Sequence, residues 1–175
     1  MARILLIYST TDGQTLKISE RIKSVLETDG HDVVLTSIQA AADIHPGAFD
    51  RIMMGASIRY GFHGKPVTAF IKRHAAVLGR LPSAFFSVNL VARKPEKRQA
   101  TTNPYVKRFL RRIPWKPGAV AVFPGRLDYP RYTPIDRWVI RLIMTLTGGP
   151  TDPGAVVEFT DWNEVEAFAR EFAKP

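Results

Sequence analysis

RILLIYSTTDGQT, residues 3–15, decides the fold, because an apolar run leads into a hydroxyl-rich loop and then a helical pattern. The run Ile4–Tyr8 is continuous rather than alternating, which is typical of a strand buried on both faces of a parallel sheet. The loop after it contains four hydroxyl side chains, one glycine and a series of backbone N–H groups at a helix N-terminus. Unpaired N–H groups and the positive end of the helix dipole both favour an anion, so this stretch predicts a phosphate site.

Two familiar phosphate-binding patterns are missing from this sequence, which limits the class of phosphate-bearing ligand to be expected. The loop is not followed by the lysine of a P-loop, and the sequence contains no G-x-G-x-x-G. A single phosphomonoester, the group that a bound FMN presents, is therefore favoured over a nucleoside triphosphate or a dinucleotide. An ordinary strand–turn–helix with a Thr or Asp N-cap explains the same residues equally well, so the loop alone leaves both interpretations open.

The composition predicts one globular domain spanning residues 1–175, with any redox chemistry supplied by a cofactor. The chain has 175 residues, of which 45% are hydrophobic and 23% charged, an ordinary globular balance. It has no cysteine, which excludes disulfides, thiol nucleophiles and cysteine-ligated iron–sulfur clusters. We expect a cytoplasmic protein, because the first residues predict a strand rather than a signal peptide. No stretch approaches the ~20 apolar residues that a spanning helix needs.

The positive charge is concentrated in one region of the chain. The formal net charge is +9, and residues 90–141 contain thirteen Lys/Arg against three Asp/Glu, a local net charge of +10. The remaining residues carry twelve basic against thirteen acidic side chains, a net charge of −1. Such a region attracts nucleic acid, anionic lipid or a carboxylate-bearing substrate, and charge alone does not choose among them.

Strand and helix patterns alternate along the chain, which predicts a doubly wound parallel sheet. The predicted strands are residues 4–8, 32–37, 51–56, 83–89, 119–123 and 155–159. The loops 9–15, 55–61 and 87–98 all follow strands. Because a ligand in such a fold lies outside the carboxyl ends of the strands, we expect these three loops to form one site.

An insertion over residues 125–153 does not fit this alternation. Within it, residues 135–146 predict a helix that is apolar over most of its circumference, with a narrow polar stripe of Arg137, Arg141 and Thr145. Such a helix is usually buried, in the core or in a dimer interface. A tryptophan-bearing apolar face edged by arginines also suits a membrane interface or a quinone. The sequence leaves these alternatives open.

Several motifs carry a resemblance to a known family over nearly the whole chain. They are GASIRYG (55–61), SVNLVARKPEKR (87–98), YPRY (129–132), LTGGPTD (146–152) and FTDW (159–162). Together with the phosphate loop they resemble the bacterial, flavodoxin-like, menaquinone-dependent protoporphyrinogen IX oxidases. The resemblance implies an α/β, flavodoxin-like, doubly wound five-stranded parallel sheet of order 2-1-3-4-5, with an insertion that splits the last strand as in long-chain flavodoxins.

The same resemblance implies an activity. The family binds FMN non-covalently and oxidises protoporphyrinogen IX to protoporphyrin IX in heme biosynthesis, with menaquinone as electron acceptor. For this chain it implies a peripheral position at the inner face of the cell membrane, through helix 135–146, with a homo-oligomer left open and no nucleic-acid partner. A flavodoxin-type electron carrier and an NAD(P)H:quinone oxidoreductase remain the alternatives.

The resemblance also assigns site residues by matched motif. One group would hold the FMN phosphate: Ser9, Thr10, Thr11, Asp12, Gly13, Gln14 and Thr15. A second group would flank the flavin ring: Ser57, Ile58, Arg59, Tyr60, Gly61, Val88, Asn89, Leu90, Val91 and Ala92. Tyr60 is the candidate to stack on the ring, and Arg59 to face its pyrimidine edge or a substrate carboxylate. Candidates for the substrate's propionates are Arg93, Lys94, Arg126 and Arg131.

Two expectations concern single residues. Asp12 stands where ordinary flavodoxins usually have threonine, and a carboxylate aimed at a phosphate would repel it. We therefore expect the Asp12 side chain to turn outward or to cap the loop. His63 and His74 are possible proton carriers, but His74 shares a helical face with apolar residues, which favours a packed or capping role. The sequence identifies no general acid or base and no metal ligand.

Overall fold

A computed structural model describes residues 1–174, with eight strands and five α-helices in that part of the chain. The strands are β1 (Arg3–Ser9), β2 (Asp32–Ser37), β3 (Arg51–Arg59), β4 (Phe62–His63), β5 (Ser83–Asn89), β6 (Ala119–Pro124), β7 (Arg126–Asp128) and β8 (Val156–Glu158). The helices are α1 (Gln14–Thr28), α2 (Lys65–Leu78), α3 (Pro104–Arg112), α4 (Pro134–Thr147) and α5 (Trp162–Ala173).

Five parallel strands form the main sheet in the order β2-β1-β3-β5-β6, and the short β4 pairs antiparallel with β3. Counting the parallel strands alone, this is the predicted order 2-1-3-4-5, so the fold prediction is confirmed. The strand order reverses between β1 and β3, which are adjacent and run parallel. Their carboxyl ends therefore mark the edge at which a ligand is expected.

Helices cover both faces of the sheet, which explains why the central strands are continuously apolar. In β1, Leu5 and Ile7 pack into a core with α2 and α3, whereas Ile4 and Leu6 pack into a second core with α1 and α5. All four side chains are fully buried. Alternate residues of a strand point to opposite faces, so a strand with two buried faces has no polar position.

The segment GASIRYG differs from the predicted loop. Strand β3 continues to Arg59, and a two-residue turn of Tyr60 and Gly61 leads into β4, with Arg59 paired to Phe62. Both turn residues have positive φ, 48° and 81°, which is typical of a type I′ hairpin turn. The predicted strand ended early because its polar end, at the sheet edge, lacks the apolar pattern of the buried part.

The insertion also differs in detail from its prediction. The returning strand β8 forms a separate antiparallel pair with β7 instead of rejoining the main sheet. Helix α4 then lies against the cleft side of the molecule, and most of its apolar outer face is exposed. Exposure reaches 73% at Ile135, 67% at Trp138 and 78% at Leu146. Of the alternatives for this helix, burial in the chain's own core is therefore excluded.

Candidate functional site

The carboxyl ends of β1, β3 and β5 border a cleft of about 580 Å³, within the usual range for small-molecule sites. As expected, the structure brings the three predicted loops together. The predicted residues that line the cleft are Thr10, Asp12, Gln14, Thr15, Ser57, Ile58, Arg59, Tyr60, Gly61, Val88, Asn89, Leu90, Val91, Arg93 and Arg126. Those that do not line it are Ser9, Thr11, Gly13, Ala92, Lys94 and Arg131.

The first wall of the cleft is the loop between β1 and α1. Gly13 adopts φ +89°, and its N–H donates to Thr10 Oγ1 at 3.0 Å. Helix α1 begins at Gln14, so Thr15 belongs to its first turn. The Thr15 side chain is only 1% exposed, and its hydroxyl has no hydrogen-bond partner among residues 1–174. A buried hydroxyl left unpaired is costly, so this atom indicates a missing acceptor at the helix N-terminus.

Asp12 does not cap this loop, contrary to one of the two expectations for it, because Thr10 supplies the cap. Asp12 lies at the rim of the cleft instead. Partial burial raises the pKa of its carboxyl group, and the positive charge of Arg59 offsets part of that rise.

The second wall is the β3–β4 turn, which is tied to the insertion through one carboxylate. Arg59 and the Tyr60 hydroxyl both donate to Asp136, near the start of α4. Thr133 caps α4 by accepting from the Asp136 N–H at 3.2 Å, and its hydroxyl donates to the Asp136 carboxylate at 2.8 Å. The hydrogen bonds from Tyr60 and Thr133 lower the pKa of Asp136. Tyr60 and Arg59 are thus held in place by a residue that sequence reasoning did not select.

The third wall is the turn after β5, shaped by a buried polar network. Asn89 Oδ1 accepts from the Ala92 N–H and from Asn103 Nδ2, both at 3.1 Å. Asn89 Nδ2 donates to Ser87 Oγ at 3.2 Å, and Ser87 Oγ lies 2.9 Å from His63 Nε2. This network holds the backbone of residues 89–92 at the cleft.

His63 terminates that network as an uncharged ring. It is packed against the rings of Phe85 and Phe109. Burial lowers the pKa of His63 from 6.5 to about 3, with a smaller contribution from the positive charge of Arg108. In the tautomer whose Nε2 carries no hydrogen, the neutral His63 ring accepts a hydrogen bond from the Ser87 hydroxyl, and Ser87 Oγ accepts in turn from Asn89. A structural role therefore accounts for His63.

The two proposed substrate-binding arginines that line the cleft, Arg93 and Arg126, already have partners within the protein. Arg93 lines the cleft, but its guanidinium donates to the carbonyls of Leu90 and Thr147 and so links the β5 turn to the end of α4. Arg126 forms an ion pair with Asp128 at 2.8 Å, and its Nε is buried without a partner in the described part of the chain.

Outside the insertion, the cleft residues that were not selected from the sequence are Phe62, Tyr105 and Arg108. Helical spacing alone groups Arg108 with the basic residues Lys107, Arg111 and Arg112, which predicts an outward position on α3. In the structure it is half-buried, donates to the Gly61 carbonyl and lies over the Phe62 ring, 4.5 Å from the ring centre. Only the position of the β3–β4 hairpin reveals this role, and spacing within α3 cannot show it.

The insertion supplies the remaining wall, which is mainly apolar. Its contributing side chains are Tyr132, Asp136, Val139, Ile140, Ile143 and Met144. The cleft therefore combines a helix N-terminus with an unpaired hydroxyl at one end and an apolar helix face at the other. Such a site can bind a phosphate-bearing ring system and exclude water from a second apolar ligand.

Comparisons with known proteins agree with this architecture. The flavodoxin domain family matches residues 5–154. A protoporphyrinogen IX dehydrogenase (quinone) of Escherichia coli K12 is 44% identical over 171 residues, which cover 98% of this chain and 94% of that protein. A protein of the same name from Leishmania major is 42% identical over 174 residues, which cover 98% of this chain and 74% of that protein.

Solved structures show the same fold. Oxidised flavodoxin 1 from Bacillus cereus superimposes with a TM-score of 0.58 at 14% identity, covering 97% of this chain and 96% of that one. Flavodoxin domains are flavin-binding domains, so the cofactor class is a flavin. On the family match and the two curated relatives, this chain belongs to the flavodoxin-domain family of protoporphyrinogen IX dehydrogenases, which are oxidoreductases.

Proposed function

We propose that the protein uses bound FMN to oxidise protoporphyrinogen IX to protoporphyrin IX, with menaquinone as the electron acceptor. The observation that carries this proposal is that one cleft contains both the unpaired Thr15 hydroxyl and the apolar face of α4. The Thr15 hydroxyl suits a phosphomonoester. The apolar face of α4 excludes water beside a large, mainly apolar substrate.

FMN fits the residues that are present. The loop of residues 9–15 would hold the phosphate, since α1 presents its N-terminal N–H groups and Thr15 presents an unpaired hydroxyl. Residues 57–61 and 88–92 would flank the flavin ring on its two sides. When bound, FMN supplies the redox chemistry, which the side chains of a cysteine-free protein cannot.

The chain's own residues would position the substrate. Its propionates need cationic partners near the cleft mouth, where Arg108 and Arg126 line the wall. Arg93 stays a candidate, although its guanidinium already holds two backbone carbonyls. Lys94 and Arg131 would need to reach the substrate from outside the cavity. The catalytic proton carriers stay unassigned, since His63 is committed to Ser87.

The membrane surface is the proposed source of the quinone. Helix α4 exposes an apolar face that includes Trp138, and the exposed Arg141 lies beside it, whereas Arg137 donates to the Tyr129 and Tyr132 carbonyls. This arrangement suits the interface of a bilayer, where apolar side chains enter and cations remain at headgroup level. No helix within residues 1–174 is long and apolar enough to cross a membrane. The proposal is therefore peripheral attachment to the inner face of the cell membrane.

The two alternatives predict different surfaces and electron donors. An electron-carrier flavodoxin meets its partners through charge and needs no apolar wall beside the flavin, whereas this chain carries a net charge of +9 and has such a wall. An NAD(P)H:quinone oxidoreductase would be reduced rapidly by a nicotinamide cofactor. Rapid anaerobic reduction of the bound flavin by NADPH would favour that alternative.

The decisive experiment is an anaerobic assay of porphyrin fluorescence. Flavin-loaded protein is mixed with protoporphyrinogen IX and a menaquinone analogue, and we expect porphyrin to form only when both protein and quinone are present. Protein that forms no porphyrin under these conditions would sink the substrate assignment. Protein that binds no FMN when FMN is supplied would sink the cofactor assignment as well.

A further inference from the structure

Helix α3 carries a concentrated positive charge, and the proposed reaction uses only Arg108 of it. Four of its nine residues are basic, Lys107, Arg108, Arg111 and Arg112, and none is acidic. We call the three of them that lie outside the cleft, Lys107, Arg111 and Arg112, the α3 ridge. Within residues 1–174, none of the three has a carboxylate within 4.0 Å. Like charges four residues apart destabilise a helix, so this ridge is unfavourable unless an anion meets it.

The ridge adjoins the mouth of the cleft. Arg108, its neighbour on α3, donates to the Gly61 carbonyl and covers the ring of Phe62 at the tip of the β3–β4 hairpin. At the same tip, the Tyr60 hydroxyl donates to Asp136 at the start of α4. The α3 ridge, the hairpin tip and α4 therefore follow one another along a single rim. Phe62 is 57% exposed and Tyr60 60% exposed, so the rim between the two helices is apolar.

The apolar face of α4 continues this rim. Its most exposed members are Ile135, Trp138, Leu142 and Leu146. The next residues around the helix, Val139 and Ile143, line the cleft. The apolar surface thus runs from the outside of α4 into the cleft without a polar break.

Of nucleic acid, a second copy of the chain and a bilayer, only the bilayer satisfies both halves of this rim. Nucleic acid offers phosphates to the ridge but nothing to an exposed tryptophan and leucines. A second copy of the chain would cover the apolar face, yet it brings the same positive ridge and no counter-charge. A bilayer containing anionic phospholipid offers phosphates to the cations and hydrocarbon to the apolar side chains.

We infer that the α3 ridge binds the headgroups of anionic phospholipids while the outer face of α4 enters the bilayer, so that the cleft mouth opens onto the membrane. This inference rests on the membrane attachment proposed above and adds to it the lipid class and the residues that recognise it. An apolar quinone then reaches the cleft along α4 without crossing water.

The test compares two triple variants of the flavin-loaded protein that lose the same charge. The ridge variant is Lys107→Gln, Arg111→Gln and Arg112→Gln, and it spares Arg108 because that residue lines the cleft. The control variant is Lys72→Gln, Arg73→Gln and Arg80→Gln, three exposed cations on or after α2. Co-sedimentation is measured with vesicles of phosphatidylcholine alone and with phosphatidylglycerol added. Flavin content and the thermal midpoint establish that both variants fold.

We expect wild-type protein to bind the phosphatidylglycerol vesicles more tightly and to be released by salt. The ridge variant should bind them about a hundredfold more weakly, since each Lys or Arg near such a surface contributes roughly a fivefold factor. The control variant should lose much less. Equal losses in the two variants, or no preference of wild type for phosphatidylglycerol, would overturn the inference. So would a ridge variant that loses duplex DNA binding but keeps vesicle binding.

The inference and the proposed function fail in different ways. Porphyrin formation with a water-soluble menaquinone analogue, measured without vesicles, should be the same in the ridge variant and wild type. Wild type that makes porphyrin but ignores anionic vesicles would refute the inference alone. Wild type that binds the vesicles through the ridge but makes no porphyrin would refute the function alone.

Discussion

At the scale of single residues, Thr15 gives the most direct test of the phosphate site. Its buried hydroxyl has no hydrogen-bond partner among residues 1–174, so replacing it removes a contact only when a ligand is present. We expect Thr15→Val, which keeps the side-chain shape, to weaken FMN binding by about tenfold or more, the value of one hydrogen bond to a charged group. The free protein should be as stable as wild type, or slightly more stable. Fluorescence titration with FMN measures the first and urea unfolding the second.

Ser19 supplies the matched control for Thr15. It is equally buried, one turn further along α1, but its hydroxyl donates to the Thr15 carbonyl at 2.8 Å. Ser19→Ala should therefore leave FMN affinity unchanged and lower stability by about 1 kcal/mol. If Ser19→Ala weakens FMN binding as much as Thr15→Val does, the Thr15 hydroxyl is not a phosphate ligand.

His63 gives a pH dependence whose sign follows from its burial. Its pKa is about 3 in the folded protein and 6.5 for an exposed ring. Between these values the unfolded chain binds a proton that the folded chain does not, so stability falls as pH decreases from about 6.5 toward 3. The loss is roughly 1.4 kcal/mol for each pH unit in that window. Urea unfolding at a series of pH values measures it.

His63→Gln should remove this part of the pH dependence, since glutamine does not titrate. The variant is expected to be less stable than wild type at neutral pH, yet to lose less stability on acidification. His45→Gln, at an exposed position, is the control and should keep the wild-type slope. An unchanged slope in His63→Gln would show that His63 is not the group responsible.

At the scale of elements, the sequence predicts those whose patterns are set by local burial. The run of residues 4–8 predicts β1, and the Asn103–Pro104 pair predicts the start of α3, where the Asn103 side chain accepts from two backbone N–H groups. The β3–β4 hairpin was missed, because its turn places a tyrosine at positive φ and no common turn dipeptide marks it. The pairing of β8 with β7 depends on contacts across the whole insertion, which spacing cannot reveal.

The residues of the candidate site likewise fall into those that the sequence predicts and those that it does not. The three loops could be predicted because each follows a strand, and parallel strands bring their carboxyl ends to one edge. Arg108 and Asp136 could not, because each enters the cleft through a contact with the β3–β4 hairpin. The partner of each lies at least 47 residues away in the chain.

Asp136 joins two elements and its removal should loosen both. We expect Asp136→Asn to weaken the contacts with Arg59 and Tyr60, and so to speed amide hydrogen exchange in residues 59–62 and 133–140. Because hydrogen bonds lower the pKa of Asp136, the wild-type contacts should persist at mildly acidic pH and weaken only as pH falls through that lowered value. Hydrogen exchange followed by mass spectrometry measures both effects.

Asp152→Asn is the control for this prediction. Asp152 lies in the same insertion, and within the described residues its side chain accepts only from the Gly154 N–H. It should leave exchange in residues 59–62 unchanged. Equal protection of residues 59–62 in Asp136→Asn and wild type would mean that this carboxylate does not hold the hairpin.

At the scale of the whole molecule, the protein combines a flavodoxin-like core with an insertion that closes one side of the cleft. The positive charge lies mainly in the core segment before the insertion, since residues 90–124 carry nine Lys/Arg against one Asp/Glu, whereas residues 125–153 carry four against three. Oxidised flavodoxin 1 from Bacillus cereus shares the fold over 97% of this chain at 14% identity. We expect substrate specificity to depend on the apolar wall that α4 adds to the cleft.

The β7–β8 pair allows the insertion to be removed cleanly. Asp128 and Val156 face each other in this antiparallel ladder, so an Asn-Gly turn can replace residues 129–155 and close a short hairpin. We expect the shortened protein to bind FMN, because residues 9–15, 57–61 and 88–92 remain, but to form no porphyrin with a menaquinone analogue, because the apolar wall of α4 is gone. FMN titration and the anaerobic fluorescence assay measure the two properties. Retained quinone-dependent porphyrin formation would place substrate specificity in the core, and lost FMN binding would make α4 part of the cofactor site.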